Sequence, residues 1–242
     1  MDTHTLIIVT ARNEADRLGD TLRALAGAFP GVPVWVGDDG SSDGTSEIAL
    51  AAGATTVRSE RPLGKGGAAT LAARSALEQR QPDRDAITVL CDGDLGVSAR
   101  HLPELLGPLQ REEADLVVAA FARRLGGGLG LAVGFARWAI RRCCGLELQA
   151  PISGQRALRV GTLAEVLPFA GGFGMEMAMT IDAARAGYRV REVLLDLEHR
   201  AGGRTLRGFL HRGRQLLDFM RVYLSRRGQN GLRDDSGSVI NE

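Results

Sequence analysis

The chain has 242 residues, a formal net charge of +1 and 44% hydrophobic residues, enough to bury a full core as one large domain or two small ones. The near-neutral balance excludes a global field that would draw it to nucleic acid. Three cysteines, Cys91, Cys143 and Cys144, fit neither a disulfide framework nor a zinc site; the start does not read as a signal peptide, and no apolar run reaches the roughly 18 residues of a membrane span. A reduced, cytoplasmic protein is expected.

Taken in order, residues 6–10 form a continuous apolar run that reads as a strand and delivers Ala11-Arg12-Asn13-Glu14. Leu18, Leu22, Leu25 and Ala26 then recur at helical spacing. A second strand, 33–37, ends in Asp38-Asp39-Gly40-Ser41-Ser42-Asp43-Gly44-Thr45, a cluster that supplies turn geometry, a helix cap and acceptors for a polar ligand. A third short strand spans 54–58. The loop Leu63-Gly64-Lys65-Gly66-Gly67 follows and holds the only lysine of the chain; an ammonium and a guanidinium are not interchangeable near a phosphate. A helix runs from there to Arg80. The fourth strand, 86–91, stops at Asp92-Gly93-Asp94. Two carboxylates one residue apart at the carboxyl end of a buried strand sit where open α/β sheets bind ligands, and hard oxygen donors on a tight turn suit Mg²⁺ or Mn²⁺ completed by substrate phosphates.

A helix is predicted over 101–111 and a fifth strand over 115–121. The glycine-rich stretch 126–130 leads into a helix carrying Phe135, Trp138 and Ile140 among Arg137, Arg141 and Arg142. Residues 151–158 read as a short strand entering a loop. A glycine-rich turn, 170–174, opens a helix near Met175-Glu176 whose Met175, Met179, Ala183 and Ala184 face the core. Residues 188–197 form the last strand, ending in Glu198-His199-Arg200. An amphipathic helix, 205–226, carries Leu206, Phe209, Leu210, Leu216, Leu217 and Phe219 on one side and arginines on the other. The tail from Gly228 reads as disordered. Strands alternating with helices imply an α/β fold with a mostly parallel sheet, here a single domain over 1–227 in two halves, 1–98 and 99–227.

Four pieces in this order, Ile7 to Glu14, the Asp38 to Thr45 cluster, Gly64-Lys65-Gly66-Gly67-Ala68 and Asp92-Gly93-Asp94, resemble the family 2 glycosyltransferases of the GT-A fold. The likeness continues to about Leu210. It implies a metal-dependent transfer of sugar from a UDP- or GDP-sugar to a phosphate-bearing acceptor. By the resemblance, Ala11, Arg12, Glu14, Asp39, Ser41 and Asp43 bound the nucleoside, Lys65 and Gly66 approach the phosphates, and Asp92, Gly93 and Asp94 carry the Mg²⁺ or Mn²⁺. Asp94 is the first metal ligand and Asp92 the second group.

Two subfamilies compete for the acceptor. Pro151-Ile152-Ser153-Gly154, the turn through Glu176, and His199 resemble glucosyl-3-phosphoglycerate synthases, which implies Glu176 on the donor sugar, His199 on the metal, and Ser153 and Gly154 near the acceptor. Those enzymes follow their triple glycine with Arg and Thr. Leu129 and Gly130 stand there instead, which points away from a small phosphorylated acid. Arg200-Ala201-Gly202-Gly203-Arg204-Thr205 is similar to the polyprenyl-phosphate glycosyltransferases, which implies Arg200 and Arg204 on a lipid phosphate and basic helices on an anionic membrane surface. Expected partners are the nucleotide-diphosphate sugar, the phosphate-bearing acceptor, the inner face of a membrane and a second copy of the chain. A sugar nucleotidyltransferase, the reading from another class, needs a glycine-rich, arginine-bearing loop directly after the first strand, where Ala11-Arg12-Asn13-Glu14 stands.

Overall fold

The computed structural model describes residues 5–121, 130–197 and 206–228, with backbone alone at 121, 130 and 206–214. The strands are β1 (Thr5–Ala11), β2 (Val34–Asp38), β3 (Thr55–Arg58), β4 (Ile87–Asp92), β5 (Leu116–Phe121), β6 (Arg156–Arg159) and β7 (Val190–Leu195). The α-helices are α1 (Leu18–Ala28), α2 (Thr45–Ala51), α3 (Lys65–Arg80), α4 (Leu106–Gln110), α5 (Gly130–Cys144), α6 (Val160–Val166), α7 (Met175–Arg185) and α8 (Leu206–Arg226).

All seven strands form one sheet in the order β3-β2-β1-β4-β6-β5-β7. Every pairing is parallel except those of β6, which runs against both β4 and β5. The register sets Ala11 beside Asp38 and Thr10 beside Asp92, so the loops after β1, β2 and β4 leave the sheet at one level. This matches the predicted α/β architecture.

Alternation along the strands divides the core in two. Ile7, Val9, Val36 and Val89 pack on one face with Leu22 and Leu25 of α1 and with Leu102 and Leu105. Leu6, Ile8, Trp35 and Leu90 meet the alanines of α3 and Met175 and Met179 of α7 on the other, while Met177 packs in a further cluster between α5, α7 and α8. The α3 contact is unusually close: a Cβ on Gly37 of β2 would lie 2.5 Å from the Ala68 carbonyl oxygen. Only glycine there lets α3 seat low enough to bring Lys65 to the rim.

Several expected elements differ. The predicted 101–111 helix is a 3-10 segment, Gly96–Leu105, continued by the short α4; Pro103 inside it and Gly107 after it oppose a regular α-helix. The order read over 151–158 is reversed, because the turn comes first and the strand starts at Arg156. The last strand is shorter at both ends than 188–197. Met175, Met179 and Ala183 are buried as expected, whereas Ala184 is only partly covered. Leu217 is 51% exposed rather than turned inward.

Candidate active site

The rim of the sheet is built by two loops that lock together. Asn13, held at φ 54°, donates its backbone N–H to Ser41 Oγ at 2.9 Å and accepts from the Ser42 N–H at 2.8 Å. Asn is among the few residues that adopt this left-handed conformation readily. The N–H of Glu14 reaches Thr45 Oγ1 at 3.0 Å, and that of Ala15 reaches Asp43 Oδ2 at 3.3 Å. Thr45 donates its hydroxyl to Asp43, and this bond, with the backbone N–H bonds, holds that carboxyl below the usual aspartate range against the opposing effect of burial. Ser41 and Asp43 therefore shape the pair of loops and do not line the cleft.

Asp39 faces the other way. Its Oδ1 accepts the N–H groups of Leu63 and Gly64 at 2.6 and 2.9 Å, and Arg12 approaches its Oδ2 at 3.7 Å. A carboxylate taking two backbone donors is a strong clamp. It ties the start of the Lys65 loop to the β2 rim.

Lys65 opens α3 and stands between two carboxylates. Its Nζ lies 2.5 Å from Asp92 Oδ1 and 2.6 Å from Glu176 Oε1. Burial alone would lower its pKa, but the charges and hydrogen bonds of Asp92 and Glu176 outweigh that and the net shift is upward. Asp92 is further held by Gln155 Nε2 at 2.9 Å and Thr10 Oγ1 at 3.2 Å. Two of the three ammonium donors are thus committed, which leaves one N–H for a further acceptor.

Glycines allow this crowding. A Cβ on Gly154 would lie 2.5 Å from Asp92 Oδ2 and closer still to Lys65 Nζ. Gly66 faces the Ala170 carbonyl so tightly that a side chain there would overlap backbone, and a Cβ on Gly64 would stand 3.2 Å from the Gly172 nitrogen. The Lys65 loop and the 170–174 turn are therefore stacked backbone on backbone. Asp218 of α8 completes the stack, accepting the Phe173 N–H at 3.1 Å where Gly172 leaves room.

We expect Gly154→Ala to keep the fold, since the obstructing atoms are side-chain ends, while displacing Lys65 and Asp92. Turnover should fall about 10²-fold, the effect of a misplacement near 1 Å, with a thermal midpoint close to wild type by scanning calorimetry.

These groups open into a cleft of about 1020 Å³. Of the residues singled out from the sequence, Ala11, Arg12, Glu14, Asp39, Lys65, Asp92, Gly93 and Asp94 line it. Glu176 reaches its edge through Lys65, and Gly66, Ser153 and Gly154 lie in its supporting layer. His199, Arg200 and Arg204 fall outside the described residues. Gln155 and α8 residues such as Asp218 and Arg221 were not anticipated; Gln155 sits directly after the serine and glycine that drew notice, and Asp218 is the single acid in a stretch of arginines. A smaller hollow of about 480 Å³ lies at the amino ends of β4, β5 and β7, lined by arginines and acids, several of them paired with one another, among them Asp115 and Arg189 at 2.9 Å.

The donor set suits a divalent cation. Asp94 is half-buried in the cleft and has no hydrogen bond or ion pair among the described residues. Asp92, Asp94 and Glu176 outnumber the one ammonium, so a doubly charged ion relieves their repulsion. No three metal-type side chains converge among the described residues. Asp94 is the carboxylate open to such an ion, whereas Asp92 is already held by Lys65 and Gln155.

Residues 6–141 match the family described as Glycosyl transferase family 2. The chain belongs to that family. This glycosyltransferase is 32% identical over 204 residues to a glucosyl-3-phosphoglycerate synthase of Mycolicibacterium paratuberculosis, an alignment covering 73% of this chain and only 58% of that one. It is 32% identical over 221 residues to an undecaprenyl-phosphate mannosyltransferase of Micrococcus luteus, covering 83% and 86%. Among solved structures, a Mycobacterium tuberculosis glucosyl-3-phosphoglycerate synthase in complex with Mn²⁺, UDP-glucose and phosphoglyceric acid superposes with a TM-score of 0.71 at 27% identity, covering 93% of this glycosyltransferase and 79% of the synthase.

Proposed function

We propose that the protein transfers a sugar from a nucleotide-diphosphate sugar, with UDP or GDP as the nucleotide, to a phosphate-bearing acceptor, and that it depends on Mg²⁺ or Mn²⁺. The observation that carries this reading is the cluster at the β4 rim, where Asp94 lies open beside a Lys65 already braced by Asp92 and Glu176. Cleaving a sugar–phosphate bond leaves a diphosphate whose growing charge must be met. Asp94 and Asp92, with His199 as the third side chain, would hold a divalent ion, which would supply electrostatic stabilisation to that leaving group. Lys65 offers its remaining N–H to the same oxygens. Asp39 and Arg12 frame the nucleoside end, while Asp92 and Glu176 present acceptors to sugar hydroxyls. Ser153, Gly154, Arg200 and Arg204 are assigned to the acceptor side. A phosphate acceptor is already anionic at neutral pH, so its attack needs little base catalysis.

Polyprenyl phosphate is the favoured acceptor, and the surface beside the cleft supports it. Leu131 and Trp138 of α5 are 89% and 49% exposed, and Leu217 and Leu224 of α8 are 51% and 53% exposed. Trp138 lies against Tyr223 with centroids 4.8 Å apart and planes tilted by 50°, so the two helices join through aromatic side chains beside the cleft-lining residues of α8. No helix among the described residues is long and apolar enough to cross a membrane; a peripheral contact, with Arg141 and Arg142 at its border, fits this face. The second reading, a small phosphorylated acid, rests on the likeness to the synthases.

The test is a donor-hydrolysis screen over UDP- and GDP-sugars with and without Mn²⁺, repeated with polyprenyl phosphate in anionic vesicles and with 3-phosphoglycerate. Metal-dependent turnover stimulated by the lipid phosphate is expected. Stimulation by phosphoglycerate alone would favour the second reading, and no turnover of any nucleotide sugar would overturn both.

A further inference from the structure

Behind the cleft lies a charge that the reaction does not touch. Arg156, the first residue of β6, is fully buried and makes no ion pair among the described residues. Burial pulls its guanidinium down to about 10, with Glu176 and Glu192 only partly opposing. A buried cation without a paired carboxylate is costly, and its retention needs a structural account.

The hydrogen bonds of Arg156 give one. Its Nε donates to the Ser153 carbonyl at 2.9 Å and an Nη to the Pro151 carbonyl at 3.1 Å. The other Nη donates to Thr180 Oγ1 at 2.9 Å. The first two bonds fix the 151–155 turn, in which Ser153 Oγ donates to Gln155 Oε1 at 3.1 Å and thereby leaves the Gln155 amide aimed at Asp92. The third runs through Thr180, whose hydroxyl donates to the Glu176 carbonyl at 3.0 Å in the first turn of α7. Two chains of contact thus leave one guanidinium: one ends on the Asp92 carboxylate, the other on the backbone carbonyl of Glu176, the residue whose side chain meets Lys65 from the opposite side. The planar fork of arginine can hold three acceptors in fixed directions, which an ammonium cannot.

We propose that Arg156 is the positioning residue for the sugar end of the cleft, setting the separation of Asp92 and Glu176 and so the placement of Lys65. Its kinetic consequence rests on the function proposed above, whereas its structural consequence does not. Arg156 touches no reacting atom and acts through Gln155 and Thr180. The nucleoside end, clamped by Asp39 just after β2, is independent of it.

Because Lys65 is the only lysine, the full chain grown on lysine labelled with ¹⁵N at Nζ yields one side-chain signal, a direct report on this cage. In the wild type a slowly exchanging Nζ resonance is expected near neutral pH. In Arg156→Met, and in the near-isosteric Thr180→Val that keeps the core filled, the signal should broaden into fast exchange while the thermal transition stays cooperative. With UDP-glucose or GDP-mannose and Mn²⁺, kcat for hydrolysis should fall about tenfold or more, with UDP and GDP affinities by calorimetry within about twofold of wild type. An unchanged Lys65 signal in folded Thr180→Val overturns the proposal, as does a parallel loss of kcat and nucleotide affinity. If the wild type turns over neither sugar nucleotide, the functional reading fails and the Lys65 signal alone decides this one.

Discussion

Asp94→Ala is expected to reduce sugar transfer about 10³-fold or more while leaving the protein folded. The activity loss follows from removing the one carboxylate in the cleft without a described protein partner, on which a metal-borne stabilisation of the leaving diphosphate depends. The small effect on stability follows from the same fact, since no buried bond is broken and such changes shift stability by about 0.5 kcal/mol or less. Asp94→Asn, which keeps the shape and loses the charge, should be nearly as inactive. The measurement is donor consumption at saturating Mn²⁺ beside a thermal melt. Substantial transfer by a folded Asp94→Ala protein would remove the metal from the proposed function.

Lys65→Ala should cost both activity and stability. Asp92 and Glu176 would be left facing each other with side chains only 21% and 6% exposed. Breaking a buried ion pair costs about 3–5 kcal/mol; with Lys65 itself 24% exposed, about 2–3 kcal/mol is the expectation after allowing for solvent screening. Turnover should fall about 10²–10³-fold. The pH dependence carries a sign. The folded pKa of Lys65 is raised, so its stabilising effect is fully present below the ordinary lysine value near 10.4 and is lost only as pH rises through the higher folded value. The wild-type contribution is therefore flat across neutral pH. In Lys65→Ala, protonation of one carboxylate relieves the repulsion, so the deficit should shrink as pH falls through the carboxylate range. Urea unfolding at pH 7 and near pH 4.5 checks this; a deficit that grows in acid would mean that the cage is not what Lys65 stabilises. Lys65→Arg should recover part of the stability and little activity, because Gly154 leaves no width for a guanidinium.

What was legible in the sequence follows a physical pattern. Strands β1, β2 and β4 are buried on both faces and appear as uninterrupted apolar runs, so their ends, and with them Arg12, Asp39, Asp92 and Asp94, could be located. The α3 loop was marked by its lone lysine among glycines. The second half hid its elements. Strand β6 has four residues, two of them arginine, too few for alternation to register. Helix α6 carries Val160, Gly161, Thr162 and Val166, which locally favour other conformations. The burial of Arg156 leaves no local mark in the sequence, because it depends on carbonyls from a turn and a hydroxyl 24 residues away. Asp218 disappeared among basic neighbours for the same reason: its partner, the Phe173 N–H, lies 45 residues off. Side chains that serve a cleft by holding other side chains leave no local periodicity to find.

The reversed direction of β6 has a consequence for how the protein can be divided. A parallel strand brings its trailing residues to the rim, but β6 brings its leading ones, so Gln155 meets Asp92 at the end of β4, with Arg156 buried directly behind it. The boundary between the first and second halves of the chain therefore runs through the middle of the Lys65 cage rather than around it. A fragment ending after the Asp94 turn would expose β4 as a bare edge and leave Asp92 without Gln155. Chimeras meant to exchange acceptor preference should be joined in the surface loops beyond β6, with the 151–156 segment kept alongside the first half it serves.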